Sequence, residues 1–247
     1  MTAGPEGVVA KLQGADILLL STNNPTLAFT LFVSPEIKKP ADLRGKKAGV
    51  SRFGSSSDHS IRFMFKELGL GEKDVAVVEI GDNPTRLAAL MTNAIHASVF
   101  TVPYAVLVKK AGFHPMLDGH KMGLKFQGSG IASTSAFMRE QQRTIEQFFG
   151  GFLEGVSYAK LHKDESVRLI KEFLKLKEQD EAEETYRVFV QEVQPRKPYP
   201  SKEGIEKVLR IVERTVPKAR TAKAEDLIDE SIMRKLDASG FIDNLYR

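Results

Sequence analysis

The stretch Gly45-Lys46-Lys47-Ala48-Gly49-Val50-Ser51-Arg52-Phe53-Gly54-Ser55-Ser56-Ser57-Asp58-His59 reads as a short buried strand, a glycine turn and the start of a helix. Ala48, Val50 and Phe53 supply the apolar positions of the strand, and Gly54, lacking a Cβ, permits the change of direction at positive φ. Ser55 is the expected N-cap, with Asp58 three residues on as an aspartate version of the capping box. Ile61, Met64, Phe65 and Leu68 follow at helical spacing, and Gly69 is placed to stop the helix. A helix start carries N–H groups without intrahelical partners and the positive end of the helix dipole. Serines clustered there form a donor set suited to an anionic oxygen group. The plainer reading, serines that cap the helix and face water, is the commoner one for so short a motif, and Asp58 brings a carboxylate of its own into the cluster.

Outward from this turn, strands and helices alternate. On the N-terminal side a helix is expected over residues 6–13, a doubly buried strand over 15–21, a turn at Asn23-Asn24-Pro25 and a second strand over 27–33. Pro35 and Pro40 make residues 35–43 the expected linker between two lobes. On the C-terminal side come a strand over 75–80 and a helix with Asn83 as N-cap, Pro84 at its first position and Leu87, Leu90 and Met91 inward. A strand over 95–102, a short helix over 103–110 and a strand over 113–117 complete the series. Such alternation predicts an α/β fold with a mostly parallel sheet covered on both faces, in which ligands collect at the carboxyl ends of the strands. Residues 51–58 and 100–104 lie at such ends. The Gly-, Ser- and Thr-rich segment 123–135 suits a second crossover, and the rest reads as helical. Its expected core stripes are Ile145, Phe148, Phe149, Phe152 and Val156, then Val167, Ile170, Phe173 and Leu174, then Tyr186, Phe189, Val190 and Val193, then Ile205, Val208, Leu209 and Val212.

Composition narrows the chemistry. The 247 residues carry a net charge of only +4, with basic and acidic residues interspersed, so neither a nucleic-acid stripe nor a membrane patch emerges. The absence of cysteine excludes disulfides, thiolate metal sites and a cysteine nucleophile. Ser57 and His59, at i and i+2 of a helix, point to different faces and are not a preset nucleophile–base pair. His96, His114, His120 and His162 lack metal-ligand spacing, so neither a metal nor a cofactor is expected. The N-terminus shows no signal peptide, and no run approaches a transmembrane span.

Several ordered segments resemble one family. They are Ile37-Lys38-Lys39-Pro40-Ala41-Asp42-Leu43-Arg44-Gly45-Lys46-Lys47, the Gly54–Asp58 turn, Leu68-Gly69-Leu70 before Lys73-Asp74-Val75, the Gly81 turn before Arg86-Leu87-Ala88-Ala89-Leu90, and Val102-Pro103. Together they resemble the nitrate/sulfonate/taurine and thiamine-precursor type of substrate-binding proteins of ABC importers, over about residues 3–137. The resemblance implies a type II periplasmic-binding fold: two α/β lobes joined by two crossovers around a small solute. It places a first, discontinuous lobe at residues 1–41 and 128–247, with its helical C-terminal region, and a second at 42–127. Members of the family usually begin with a signal peptide and several further elements before the one resembling Thr2–Ala10. The chain is therefore expected to be N-terminally truncated, with an incomplete first lobe and weak stability or self-association if it begins at Met1.

Carried over residue by residue, the solute contacts implied by the resemblance are Arg52, Ser55, Ser56, Ser57 and Asp58, with Thr101 and Pro103 at the next strand end, and Gly4, Glu6, Thr22 and Asn23 from the first lobe. Arg52 is as well suited to facing water as to gripping an anion; Phe53 or Tyr104 would wall an apolar part of the solute, although for Phe53 core packing is the favoured reading. Glu6 would oppose an anionic solute and favour a cationic or zwitterionic one. The implied function is non-catalytic: to bind a small anionic or zwitterionic organic solute, such as a sulfonate, carboxylate or pyrimidine, and deliver it to an ABC permease and ATPase. The setting would be periplasmic or otherwise extracytoplasmic, with membrane contact only through the permease. The alternatives are a sensor domain of the same fold signalling through a partner protein and, less favoured, a small-molecule enzyme on that fold.

Overall fold

The computed structural model describes residues 4–247, so Thr2 and Ala3 of the family element lie outside the described residues. In chain order the elements are α1 (Gly4–Leu12), β1 (Leu18–Leu19), β2 (Thr30–Val33), β3 (Lys47–Val50), α2 (Ser56–Glu67), β4 (Ala76–Glu79), α3 (Asn83–Met91), β5 (Ala97–Phe100), α4 (Tyr104–Lys110) and β6 (His114–Asp118). They continue with β7 (Ala132–Ser133), α5 (Ser135–Glu140), α6 (Gln142–Leu161), α7 (Lys163–Leu174), α8 (Gln179–Thr185), a π-helical segment Tyr186–Val193, α9 (Lys202–Val212), α10 (Ser231–Ala238) and α11 (Phe241–Asn244). Among the described residues, no helix is long and apolar enough to cross a membrane.

Two compact units result. Leu27–Leu124 forms one, here called unit two; the chain up to Thr26 together with Lys125–Arg247 forms unit one. The division thus falls before Leu27 and after Leu124, rather than after residues 41 and 127 as the sequence places it. The reason is β2, which is hydrogen-bonded between β5 and β6 and carries residues 27–41 into unit two. The Pro35–Leu43 stretch is consequently no linker: it ends in a 3-10 turn, Pro40–Leu43, that buries Leu43.

Unit two is built on a five-stranded mixed sheet of order β4-β3-β5-β2-β6. β3 is parallel to β4 and β5, and β2 is antiparallel to both its neighbours, so four strands run one way and β2 alone is reversed. All four residues of β5 are buried, as expected of a central strand covered on both faces. Phe32, Leu90, Ile95, Phe100, Val108 and Phe113 form one core, with the Phe32 and Phe100 rings edge to face at 6.2 Å. Gly49 leaves room for the Ile95 side chain, since a Cβ there would come 2.5 Å from Ile95 Cδ1 and displace it.

Unit one has a two-stranded antiparallel pair, β1 with β7, extended by a parallel bridge from Leu19 to Ile228, and is otherwise helical. One core of this unit joins Leu20, Ile131, Ile145, Phe149, Leu153, Ile232, Met233 and Ile242. The inward face of α6 is therefore Ile145, Phe149 and Leu153 at four-residue spacing. Phe148, expected in that stripe, sits one position off and is exposed, as are Phe173 and Leu174 of α7. Tyr186, Val193, Ile205, Val208, Leu209 and Val212 are buried as expected.

A polar clasp closes unit one near its C-terminus. Asp237 of α10 accepts from Lys197 Nζ at 2.7 Å and from the Tyr199 hydroxyl at 2.8 Å, and these bonds hold its carboxyl below the usual carboxylate range. A carboxyl whose pKa is lower folded than unfolded contributes stability above its unfolded value, near pH 3.9, and loses that contribution as pH falls through the folded value. Acid titration of wild type against Asp237→Asn is expected to show a stability gap at neutral pH that closes below about pH 4. A gap unchanged down to about pH 2 would contradict it.

Candidate functional site

β3 delivers the chain into the turn that the sequence singles out. Gly54 adopts φ +75° and Ser55 caps α2, its hydroxyl accepting from Asp58 N at 3.3 Å. The capping box is altered: the Asp58 carboxylate accepts from Gly54 N at 2.9 Å instead of from the cap residue itself, and its other oxygen accepts from Arg62 Nε at 2.6 Å. Asp58 is buried, so this carboxylate braces the turn from inside.

The hydroxyls of Ser51, Ser55 and Ser57 form a closed ring. Ser51 Oγ donates to Ser55 Oγ at 2.9 Å, Ser57 Oγ lies 3.0 Å from Ser51 Oγ and 2.9 Å from Ser55 Oγ, and Ser55 Oγ donates to Arg52 O at 2.7 Å. Ser57 Oγ also accepts from Ser51 N at 3.0 Å. Ser55 and Ser57 are buried and spend much of their hydrogen-bonding capacity on one another, whereas Ser56 is half-buried. Ser51 is not among the expected site residues; its only signal in the sequence is a fourth serine, placed directly after the strand. Arg52 and Phe53 are both exposed, so Phe53 does not pack in the core, and Phe53 N donates to the Glu79 carboxylate at the end of β4.

The next two strand ends stand beside this turn in the sheet. After β4, Gly81 leads to Asp82, which replaces the expected Asn83 as N-cap of α3 and accepts from Thr85 N at 3.0 Å and Thr85 Oγ1 at 2.6 Å. Both bonds lower the Asp82 pKa. In the first turns of α3, Arg86 is buried, donates from Nη2 to Asn83 Oδ1, and sits 5.2 Å above the centroid of Phe100, the last residue of β5. Beyond Phe100, Thr101 and Pro103 are half-buried before α4 begins. Unit two therefore brings together the ends of three parallel strands and the starts of the three helices that follow.

The remaining expected residues belong to unit one. Gly4 is buried, and a Cβ there would come 1.9 Å from Gln127 O, which makes it a packing glycine. Glu6 is half-buried. Thr22 is fully buried, its N–H donating to Pro198 O at 3.1 Å while its hydroxyl has no partner. Asn23 N donates to Ser129 O at 2.7 Å, and Asn23 lines a cavity of about 450 Å³ with Asn24, Ser129, Phe152, Gly155 and Phe189.

Residues 1–166 match the family described as NMT1/THI5 like. No curated protein matches the chain by sequence. Among solved structures, a protein of Bordetella bronchiseptica RB50 aligns with a TM-score of 0.78 at 19% identity, over 96% of this chain and 79% of that one. The periplasmic aliphatic sulphonate binding protein SsuA from Escherichia coli aligns at 0.75 and 18% identity, over 93% and 74%. The desulfurization enzyme DSZB aligns at 0.71 and 15% identity, over 99% and 84%.

Proposed function

The chain belongs to the NMT1/THI5-like family, and from that premise we propose that it is the solute-binding component of an ABC importer. It holds a small anionic or zwitterionic organic solute at the strand ends of unit two and hands it to a permease outside the cytoplasmic membrane. The observation that carries this reading is the meeting of β3, β4 and β5 with the starts of α2, α3 and α4, which concentrates donors and positive helix ends at one edge of a parallel array. The likeness in fold to a sulphonate-binding protein supports the solute class. Arg52, Ser56 and Thr101, none of them fully buried, are the side chains proposed to reach the solute, with Ser55, Ser57 and Asp58 shaping the turn beneath them.

Since the fold also accommodates a desulfurization enzyme, binding has to be separated from turnover. We read Ser57 as a turn-forming hydroxyl and not a nucleophile, because its oxygen faces Ser51 and Ser55. A thermal-shift and calorimetry panel of alkanesulfonates, aromatic carboxylates, nitrate and pyrimidines is expected to yield one solute bound at about micromolar Kd, near −8 kcal/mol. At a hundredfold excess over Kd it would stabilise the protein by about 2.7 kcal/mol. Chemical change in the recovered solute would refute the reading, and so would a panel with no binding below millimolar.

A further inference from the structure

Arg86 has a property that its neighbours in the fold do not explain. It is 3% exposed, yet its Nε and Nη1 groups are buried without any hydrogen-bond partner, and only Nη2 is engaged, by Asn83 Oδ1. Among the described residues no carboxylate lies within ion-pair distance of it. Asp82 acts on it electrostatically but makes no ion pair with it, and accepts from Thr85 N and Oγ1 through Oδ1. Arg62, by contrast, has Asp58 at 2.6 Å. The face of Phe100 attracts a cation but offers no acceptor in the plane of the guanidinium. A buried charge in this condition is costly unless something meets it, and burial already lowers its pKa. Its position is equally specific: the first turns of α3, over the last residue of β5, immediately before Thr101.

We propose that Arg86 is the anion-recognising group of unit two, receiving the sulfonate or carboxylate head of the solute on the guanidinium donors the protein leaves unpartnered. The inference rests on the solute-binding reading above and adds the group that selects for charge. An oxyanion head neutralises the guanidinium and accepts charge-assisted bonds in a low-dielectric setting, where they are strongest, with the positive start of α3 adding to the attraction. Because the donors are enclosed, the head must shed its water to reach them, which favours a compact oxyanion.

Calorimetry on the full chain with butanesulfonate, butyrate and the neutral butanesulfonamide tests this, using wild type, Arg86→Met and Arg86→Lys. Wild type is expected to prefer at least one anion over the amide by about thirtyfold, the stronger of the two anions identifying the head. Arg86→Met should lose about a hundredfold in affinity for that anion, with Arg86→Lys intermediate. Without ligand, Arg86→Met should melt no lower than wild type, because an apolar side chain of similar length removes an uncompensated charge. Unchanged anion affinity in Arg86→Met, or in Arg86→Lys should the methionine variant not fold, overturns the inference and leaves the solute-binding reading standing. So does a wild-type preference for the amide. Wild type that binds none of the three also overturns it, and the reading falls too only if the wider panel is silent.

Discussion

Gly204→Ala is expected to destabilise unit one by about 3 kcal/mol, the upper end of what overpacking costs, and to lower its melting temperature by about 10 °C. A Cβ on Gly204 would come 2.4 Å from Phe126 C and 2.5 Å from Gln127 N, and both obstacles are backbone that no rotamer change can move. The segment concerned is where the chain returns to unit one after Leu124. It is pinned from several sides: Gly4 of α1 is pressed against Gln127 O, and the Gln127 side chain donates to Ser21 O at 3.1 Å and accepts from Ser201 N at 2.8 Å. With that segment held, α9 would have to move away, and it carries the fully buried Ile205, Val208 and Val212. Gly151→Ala on α6 is the matched control, because a Cβ there meets nothing within 4 Å. The control should gain up to about 1 kcal/mol from helix propensity. Melts of the two variants should thus move in opposite directions, and a Gly204→Ala protein that melts with wild type would show that the two backbones are not packed as described.

How much of this was legible in the sequence depends on how local the controlling interaction is. α2 could be read nearly to the residue, because its cap, its apolar spacing and its glycine stop are all properties of neighbours: Ser55 caps, Ile61, Met64 and Phe65 are buried, and Gly69 takes φ +71°. The reversed direction of β2 was not legible, since an apolar strand has the same composition whichever way it runs, and its partners β5 and β6 are far away in sequence. The lobe boundary moved for that reason. Asp82 in place of Asn83 as cap is a choice between adjacent side chains of equal capping ability, decided by the turn geometry after Gly81. Phe148 and Phe173 satisfied a helical period without being buried, because a period defines a stripe only to within about one residue and the packing partner selects the edge. In the candidate site, a run of serines could be read as donors. That Ser51, Ser55 and Ser57 would turn those donors on each other depends on distances no spacing rule supplies. Arg86 was visible only as one letter of a family motif, and its importance comes from what is missing around it.

Asp58→Ala is expected to cost about 2 kcal/mol and to weaken solute binding, and its charge-neutral counterpart separates two roles for this carboxylate. Asp58 is 1% exposed and joins Gly54 N to Arg62 across the turn. Breaking a fully buried pair typically costs about 3–5 kcal/mol, but the Arg62 side chain is 22% exposed and regains water once its partner is gone, so the lower figure applies. Gly54 N loses its acceptor as well, and Gly54 is exposed, so water can take the place of the carboxylate there too, which also favours the lower figure. Loss of the brace should loosen the path from Arg52 to Ser57 and so reduce affinity through disorder of the turn. Asp58→Asn keeps an oxygen for Gly54 N and loses the charge, which should cost about 1 kcal/mol. If Asp58 acts only as a brace, both variants bind an anionic solute more weakly than wild type, and Asp58→Ala is the weaker. If instead its carboxylate lies against the bound anion, removing the charge relieves repulsion and Asp58→Asn binds more tightly than wild type. Calorimetry on the two variants alongside their melts decides between these, and tighter binding by Asp58→Asn would remove Asp58 from the scaffold and place it in the solute's contact shell.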